Sequence, residues 1–448
     1  MMTTRWFPLC AVALAVLGGA VLVAAQDGPG PDARQAVDAV LTMLDSDGEA
    51  PLTAFVDRSM RVPDGPERAA LLARLADLRE RLRGLRDDVS VEGEADGVRL
   101  ILAGERGEAQ LRIVLGPEGI RDLSEAEAPA PLELTRGNLA ATFAELAQAQ
   151  LAGVVSIRLA DGFVYEAAFG PADPATGAAN TLSTIFGTGS RPIDYTVAAI
   201  LLLEQQGRLT RDQTIDAIIP DVPADKRAIT IAHLLDGRSG LPDFFHTAAD
   251  WDPDLAWIDR RTAERRLLAS PLRFAPGEGR EHSHGAFVLL AAVIERVSGQ
   301  PYYEFIREHL LDPAGMARTG EYGETRGLAL ADFAVGGGPM MVGLPNIPPN
   351  WGPVSWLIKG SGGMYSTLGD LRRFYEFVRS GRALDPEHAR PFLQPAVSAD
   401  GSDRGFELFS AYDPAGSEAY LFLNAQGDRS RVRPLFRALE RFVMPAQP

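Results

Sequence analysis

The sequence is poor in lysine and cysteine. It holds 44 basic residues, of which only Lys226 and Lys359 are lysines, and its one cysteine is Cys10. With 60 acidic residues the formal net charge is −16, which argues against nucleic acid or an anionic membrane surface as the main partner. A single cysteine excludes a disulfide within the chain and a cysteine-based metal site. The shortage of lysine also limits which residues can act as an amine base.

Long apolar runs are scarce as well. The one run of this kind, Leu9–Ala25, follows Arg5 and ends in the small residues Val23-Ala24-Ala25. A basic start, an apolar stretch and a small-residue exit are typical of a secretory signal peptide, and an uncleaved membrane anchor is the alternative. We predict a signal peptide over residues 1–25, cleavage after Ala25, and a periplasmic or secreted protein with no membrane contact after cleavage.

The remaining sequence indicates two unequal domains. Residues 30–123 combine a leucine-striped helical segment, Glu67–Leu85, with short alternating runs, which predicts a small helix-plus-meander α+β domain. These runs are Val89–Glu94, Val98–Leu102 and Ala109–Leu115. Residues 124–132 are rich in Pro, Ala and Glu and predict a linker. Residues 133–448 form the larger domain.

The larger domain has strand patterns at both ends and helical patterns between them. A hairpin is predicted over Val154–Phe169, turning at Asp161-Gly162, and a buried helix over Tyr195–Gln206. Two late strands and a closing amphipathic helix follow, at Phe406–Tyr412, Ala419–Leu423 and Arg433–Val443. The pattern predicts an α/β fold of the α+β type, with a sheet of terminal strands flanked by helices and a helical insert.

Four segments resemble the serine β-lactamase and penicillin-binding-protein-like hydrolases in order and spacing. They are Phe186–Gly207 (FGTGSRPIDYTVAAILLLEQQG), Ile229–Phe244 (ITIAHLLDGRSGLPDF), Phe274–Gly315 and Gly360–Phe374 (GSGGMYSTLGDLRRF). The resemblance implies a β-lactamase/DD-peptidase-like fold, an antiparallel sheet flanked by helices, preceded here by the small α+β module. It implies no cofactor.

The catalytic motifs of that family are altered in this sequence. The family uses Ser-x-x-Lys, and here Ser190 is followed three residues later by Ile193. The family's Tyr-x-Asn reads His282-Ser283-His284, and its third motif, a strand with a cation before Gly, is replaced by Ser398–Arg404 with two acids. Losing a general base typically costs a factor of about 10² to 10⁴ in rate. The resemblance therefore implies a catalytically degenerate member of the family.

Ser190 has two interpretations. It precedes Pro192 at the start of the buried helix, so it suits an N-cap. Alternatively it is a nucleophile served by His282, whose unperturbed pKa of about 6.5 suits a general base, with Asp194 or Glu281 as the orienting carboxylate. The candidate catalytic residues are thus Ser190 and His282. The candidate ligand-binding residues are His284, Arg191 and Arg404.

A metal site is the other use of two nearby histidines. His282 and His284 flank Ser283 beside Glu281, but zinc needs three or four ligands and the other histidines lie in separate segments. We predict no metal and no cofactor.

Two hypotheses of function follow. The first is an exported, degenerate protein that binds a cell-wall, peptidoglycan-like or other small molecule, a peptide-like ligand or another protein in the former cleft. The second is an active serine hydrolase, acting on an ester or amide through Ser190 and His282.

Overall fold

The computed structural model describes residues 23–24, 31–83, 85, 88–94, 96–104, 107–117, 119–126, 132–243, 257–338, 342–402, 404–424 and 431–444. The predicted signal peptide lies outside these residues, apart from Val23–Ala24. The chain divides into two compact units, Ala13–Leu132 and one made mainly of Glu133–Pro448. None of the helices in the described ranges is both long and apolar enough to span a bilayer.

The smaller unit packs three helices against a meander. The helices are α1 (Pro31–Asp45), α2 (Ala50–Phe55) and α3 (Pro66–Leu82), and the strands are β1 (Val23–Ala24), β2 (Asp88–Glu94), β3 (Gly97–Gly104), β4 (Gly107–Gly116) and β5 (Gly119–Ala126). The sheet order is β1-β2-β3-β4-β5. Leu75, Leu78 and Leu82 from the leucine stripe of α3 are buried in one cluster with Leu100 and Leu111 of the sheet. The three predicted strands are confirmed as β2, β3 and β4, and the sheet has two further strands, β1 and β5, that the sequence analysis did not predict.

The predicted linker begins too early. Ser124, Glu125 and Ala126 complete β5, where they lie opposite residues 112, 111 and 110 of β4. Arg81 of α3 donates a hydrogen bond of 2.5 Å to Glu125 Oε2. The Ala/Glu composition predicted a linker because it carries no sign of this pairing, which depends on the neighbouring strand and helix.

The central sheet of the larger unit joins strands from both ends of the domain. Its order is β13-β14-β15-β6-β7, all antiparallel. The sequence pattern predicted a sheet of terminal strands and the family resemblance implied that it is antiparallel, whereas β13 was not predicted. The strands of this unit are β6 (Gly153–Arg158), β7 (Val164–Phe169), β8 (Pro171–Asp173), β9 (Ala178–Ala179), β10 (Phe186–Gly187), β11 (Gly320–Glu321), β12 (Met364–Ser366), β13 (Ala396–Ser402), β14 (Phe406–Asp413) and β15 (Ser417–Leu423). Strands β10, β12 and β11 form a small separate sheet.

Helices cover both faces of the central sheet. The helices of this unit are α4 (Leu139–Gln148), α5 (Pro192–Gln205), α6 (Ile231–Leu235), α7 (Arg260–Ala269), α8 (His284–Ser298), α9 (Tyr302–Ile306), α10 (Asp312–Ala314), α11 (Leu368–Arg379) and α12 (Val432–Val443). Phe409 stacks on Phe436 of α12, whereas Tyr420 stacks on Tyr375 of α11. Phe409 lies opposite Leu421, so adjacent Tyr420 faces the other side. Helices α12 and α11 therefore lie on opposite faces.

The helices of the insert share one hydrophobic core with the central sheet, because residues of α5 and α8 are buried in the same cluster as Leu408 of β14 and Phe422 of β15. Helices α5 and α8 pack against each other, and both are apolar nearly all round because neighbours cover them on every side. Thr367 caps α11 by accepting a hydrogen bond of 3.0 Å from the Asp370 N–H. The packing of α5 against α8 brings predicted site residues together, because Ser190 and Arg191 directly precede α5 and α8 begins at His284.

Candidate active site

A tight turn holds Ser190 at the head of α5. Thr188 anchors the turn to β12, with its backbone N–H and its Oγ1 both donating to the Met364 carbonyl, at 2.9 and 2.7 Å. Gly189 follows with a φ of 53°, a left-handed conformation that favours glycine. Helix α5 then starts at Pro192, with Arg191 in the N-cap position and no side-chain cap bond. The structure does not support the N-cap interpretation of Ser190.

Ser190 begins a chain of hydrogen bonds that resembles a catalytic triad. Its Oγ lies 3.4 Å from His284 Nε2, and His284 Nδ1 lies 2.7 Å from Asp243 Oδ2. The carboxylate opposite Nδ1 assigns the ring proton to that nitrogen, which leaves the Nε2 lone pair to accept the serine proton. A serine–base distance somewhat longer than an ideal hydrogen bond is common where no substrate is bound.

Ser283 positions this base. His284 is the first residue of α8, and Ser283 caps the helix by accepting a hydrogen bond of 3.2 Å from the Ala286 N–H. The Ser283 hydroxyl donates at 3.2 Å to the carbonyl of Pro242, the residue before Asp243. One buried hydroxyl thus joins the start of α8 to the segment that supplies the carboxylate.

The predicted pairing of Ser190 with His282 is replaced by a pairing with His284. His282 contacts the His284 ring at a centroid distance of 4.6 Å, nearly perpendicular, and the Phe287 ring at 6.0 Å. Among the described residues, the serine hydroxyl contacts the ring of His284 and not that of His282. The side chains on either side of Ser283 point in different directions at the helix start, and only one of them faces the nucleophile turn.

The orienting carboxylate is also a different residue. Asp194 accepts a short hydrogen bond from the Tyr375 hydroxyl, and Glu281 pairs with Arg273 at 3.4 Å. Asp243 takes the role instead, from a position 41 residues before His284. Its place after the Ser-Gly-Leu segment is the only sequence signal near it, and that signal says nothing about its partner.

The pKa of His282 lies below that of a free imidazole. Burial of the ring, together with the neighbouring His284, lowers this pKa to about 4, although the residue as a whole is exposed. Its unfolded-state pKa is about 6.5, so the unfolded chain binds the proton first on acidification. This residue therefore contributes stability above pH 6.5 that is lost as the pH falls towards 4. We expect His282→Asn to reduce the fall in unfolding free energy between pH 7 and pH 4.5, measured by urea titration at both values. Identical falls for the variant and the wild type would contradict this.

Arg191, predicted as a ligand-binding residue, is a buried connection between elements. Its side chain is 3% exposed. The guanidinium donates to Asp400 and Ser398 of β13, and at 3.1 Å to both Ser410 of β14 and Tyr375 of α11. Arg191 therefore connects the nucleophile turn to the edge of the sheet. Its guanidinium N–H groups form hydrogen bonds within the fold and are not directed at a ligand.

Removing this cation should destabilise the protein. Arg191→Met leaves Asp400 buried without its ionic partner, and breaking a buried pair in this way typically costs about 3–5 kcal/mol. Urea unfolding of the wild type, Arg191→Met, Asp400→Asn and the double variant forms a complete cycle. We expect the double variant to recover part of the loss. A loss below about 1 kcal/mol for Arg191→Met would show that the pair is not a structural connection.

Arg404, the other predicted binding cation, lies in the packed interior. The residue is 1% exposed and its guanidinium carbon lies 4.9 Å from the Trp351 ring centroid. Its carbonyl accepts from Asn346 Nδ2 at 2.9 Å, and Asn346 in turn accepts from Trp351 Nε1 at 2.8 Å. The structure thus places Arg404 within the wall formed with Trp351 and not on an exposed surface.

The edge strand β13 borders the nucleophile turn directly. A methyl group added to Gly189 would lie 3.3 Å from Asp400 Cβ and 3.4 Å from Gly401 O. At the β13–β14 turn, the Gly405 N–H, at a φ of 94°, donates to the Ser402 carbonyl at 2.9 Å, and Ser402 lies opposite Phe406. In this hairpin the backbone N–H and C=O groups of Ser402 point towards β14. Because these groups alternate in direction along a strand, those of Gly401 point away from β14 and towards the nucleophile turn. The N–H groups of Ser190 and Gly401 are therefore the candidate donors to an oxyanion.

The position of the family's lysine is apolar. Ile193 is partly buried against the main core cluster. Both lysines of the chain are ion-paired elsewhere, Lys226 with Asp225 at 2.7 Å and Lys359 with Glu321 at 2.5 Å. His284 is therefore the base that the geometry offers to Ser190. Across the described ranges, no three metal-ligating side chains converge on one point.

Comparison with known proteins agrees with this architecture. A sequence profile described as Beta-lactamase matches residues 139–413. Penicillin-binding protein 4* of Bacillus subtilis (strain 168) is 32% identical over 176 residues, which cover 39% of this chain and 38% of that protein. Esterase EstB of Burkholderia gladioli is 28% identical over 318 residues, which cover 61% of this chain and 79% of the esterase. The chain thus matches well under half the length of the first relative and most of the second.

Solved structures share the fold. The crystal structure of a penicillin binding protein from Bacillus halodurans superposes with a TM-score of 0.56 at 22% identity, covering 68% of this chain and 99% of that one. An identity this low supports the fold alone. Because the family profile spans more than half of the sequence, the chain belongs to the serine β-lactamase and penicillin-binding-protein-like family.

Proposed function

We propose that this protein is a serine hydrolase that cleaves an ester or amide bond through Ser190, His284 and Asp243. The observation that carries the proposal is the continuous chain of contacts from Ser190 Oγ through the His284 ring to Asp243. A serine hydroxyl is a weak nucleophile until a base removes its proton, and an oriented imidazole is such a base. In this proposal His284 replaces the amine that the family places three residues after the serine.

The reaction follows from these positions. Ser190 Oγ bonds to the carbonyl carbon as its proton passes to His284 Nε2, and Asp243 stabilises the imidazolium that forms. The N–H groups of Ser190 and Gly401 would bind the oxyanion. The imidazolium then protonates the leaving alcohol or amine, leaving an acyl-serine. Water attacks this ester with His284 as base, which releases the acid and restores Ser190.

The degenerate ligand-binding protein is the alternative, and Ile193 is the residue that favours it. The prediction of a degenerate ligand-binding protein rested on the loss of the lysine that acts as the base in the family. The contact between Ser190 and His284 weakens that argument, because it supplies a second kind of base at the same hydroxyl. The Burkholderia relative is an esterase by name, which favours ester substrates within the proposal.

Covalent labelling tests the proposal. The purified chain is incubated with a fluorophosphonate and, separately, with a penicillin, and the adduct is measured by intact mass and located by peptide mapping. We expect one fluorophosphonate on Ser190, none on Ser190→Ala, and unchanged labelling of Ser183→Ala, a matched control in an exposed turn. Folded protein that takes up neither reagent would favour the ligand-binding alternative.

We also propose that the protein is exported. The support is the signal-peptide pattern of residues 1–25. N-terminal sequencing of chain recovered from the periplasm or medium should begin at Gln26. Full-length chain retained in the membrane fraction would favour the uncleaved anchor.

A further inference from the structure

Acidic side chains surround the Ser190 turn on several sides. Asp243 lies behind His284, Asp194 lies in the first turn of α5, and Asp400 lies on β13 beside Gly189. Their side chains are only 10%, 15% and 9% exposed, in that order. Water therefore screens these carboxylates less than it would at the surface.

The cation beside this group faces inward. The Arg191 guanidinium contacts Asp400 directly and lies 3.7 Å from Asp194, and it is 3% exposed. It offsets about one of the three negative charges, and its donors already bind Ser398, Ser410 and Tyr375. A ligand at Ser190 would meet the backbone of Gly401 on this side, with the Asp400 carboxylate behind it.

We infer that the active site selects neutral or cationic acyl groups and discriminates against substrates that carry a carboxylate near the scissile bond. The inference rests on the proposed hydrolase function. An anion held near Ser190 would experience like charges that the buried guanidinium only partly offsets, and like-charge juxtaposition is costly in a partly desolvated site. Binding would be weakened in both the ground state and the transition state.

Three p-nitrophenyl esters of matched acyl length test this on the full chain. One acyl group is neutral, one ends in a carboxylate and one ends in a trimethylammonium group. We expect kcat/KM for the anionic ester to be at least about tenfold below that for the neutral ester. Raising NaCl from about 20 to about 500 mM should narrow the differences in rate among the three esters only in part, because salt screens largely buried charges less than exposed ones. An anionic ester cleaved as fast as the neutral one, without a salt effect, would overturn the inference.

A charge variant locates the effect. Asp400→Asn should raise kcat/KM for the anionic ester relative to the neutral ester, because it removes one of the three carboxylates and leaves Arg191 with Asp194 as its remaining acidic neighbour in this group. Asp413→Asn, on the neighbouring strand β14, changes the net charge equally and should leave the ratio unchanged. Equal ratios in both variants would overturn the role of Asp400, and if Asp400→Asn does not fold, the salt series on the wild type decides the inference.

The two proposals fail in distinguishable ways. Absence of turnover on all three esters, with no fluorophosphonate adduct, would overturn the hydrolase function and the selectivity with it. Turnover of the neutral ester with an equally good anionic ester would overturn the selectivity alone.

Discussion

Replacing Ser190 with alanine is expected to lower kcat/KM for a neutral p-nitrophenyl ester by at least about 10³-fold. The hydroxyl at 3.4 Å from His284 Nε2 is the protein group that bonds to the acyl carbon in the proposed mechanism. The measurement is the initial rate over a range of ester concentrations, corrected for spontaneous hydrolysis. Activity within a factor of ten of the wild type would exclude Ser190 as the nucleophile.

The same substitution should barely change the stability. Ser190 makes no side-chain cap bond to α5, so Ser190→Ala should alter the unfolding free energy by less than about 0.5 kcal/mol. Thr367→Ala is the matched control, because Thr367 does cap its helix, α11. That variant should lose about 1 kcal/mol and keep its activity. The reverse pattern, stability lost and activity kept in Ser190→Ala, would restore the N-cap interpretation.

Replacing His284 with glutamine should lower kcat/KM by about 10²–10⁴-fold, because the amide cannot take the serine proton. His282→Gln is the matched control, and we expect it to retain activity within about tenfold, since its ring contacts His284 and not Ser190. Steady-state kinetics of both variants on the neutral ester decides between the histidines. If His282→Gln were the inactive variant, the base assigned by the geometry would be wrong.

Asp243→Asn tests the third residue of the hydrogen-bonded series Ser190, His284 and Asp243. An amide that donates towards His284 Nδ1 favours the opposite ring tautomer, in which Nε2 carries the proton and cannot accept one. A loss of about 10³-fold with normal folding would be the expected result. Asp194→Asn and Glu281→Gln separate this role from the carboxylates that the sequence suggested, and activity lost only in Asp194→Asn or only in Glu281→Gln would reassign it.

Local patterns predicted much of the larger unit. The hairpin of β6 and β7, the buried helix α5, strands β14 and β15 and helix α12 all occur where alternation or apolar content indicated them. These features depend on residues close together in the chain, and a strand or helix burying one face leaves that signature in sequence. In the smaller unit, strand β5 was not predicted, and the predicted linker began too early. A short run with few apolar residues gives no strand signal by itself, and its pairing with β4 is visible only in the structure.

The candidate site likewise has features that the sequence predicted and features that only the tertiary structure decided. Residue order was enough to place a serine at the head of a buried helix, to exclude lysine as its base and to indicate the two histidines around Ser283. Which histidine faces Ser190 was decided by the packing of α5 against α8, which joins residues 94 positions apart. Contacts between distant segments also decided that Asp243 is the carboxylate beside His284 and that the Arg191 side chain points into the protein. Side-chain type is a local property, whereas the direction and partner of a side chain follow from contacts between distant segments, which no local pattern of residues records.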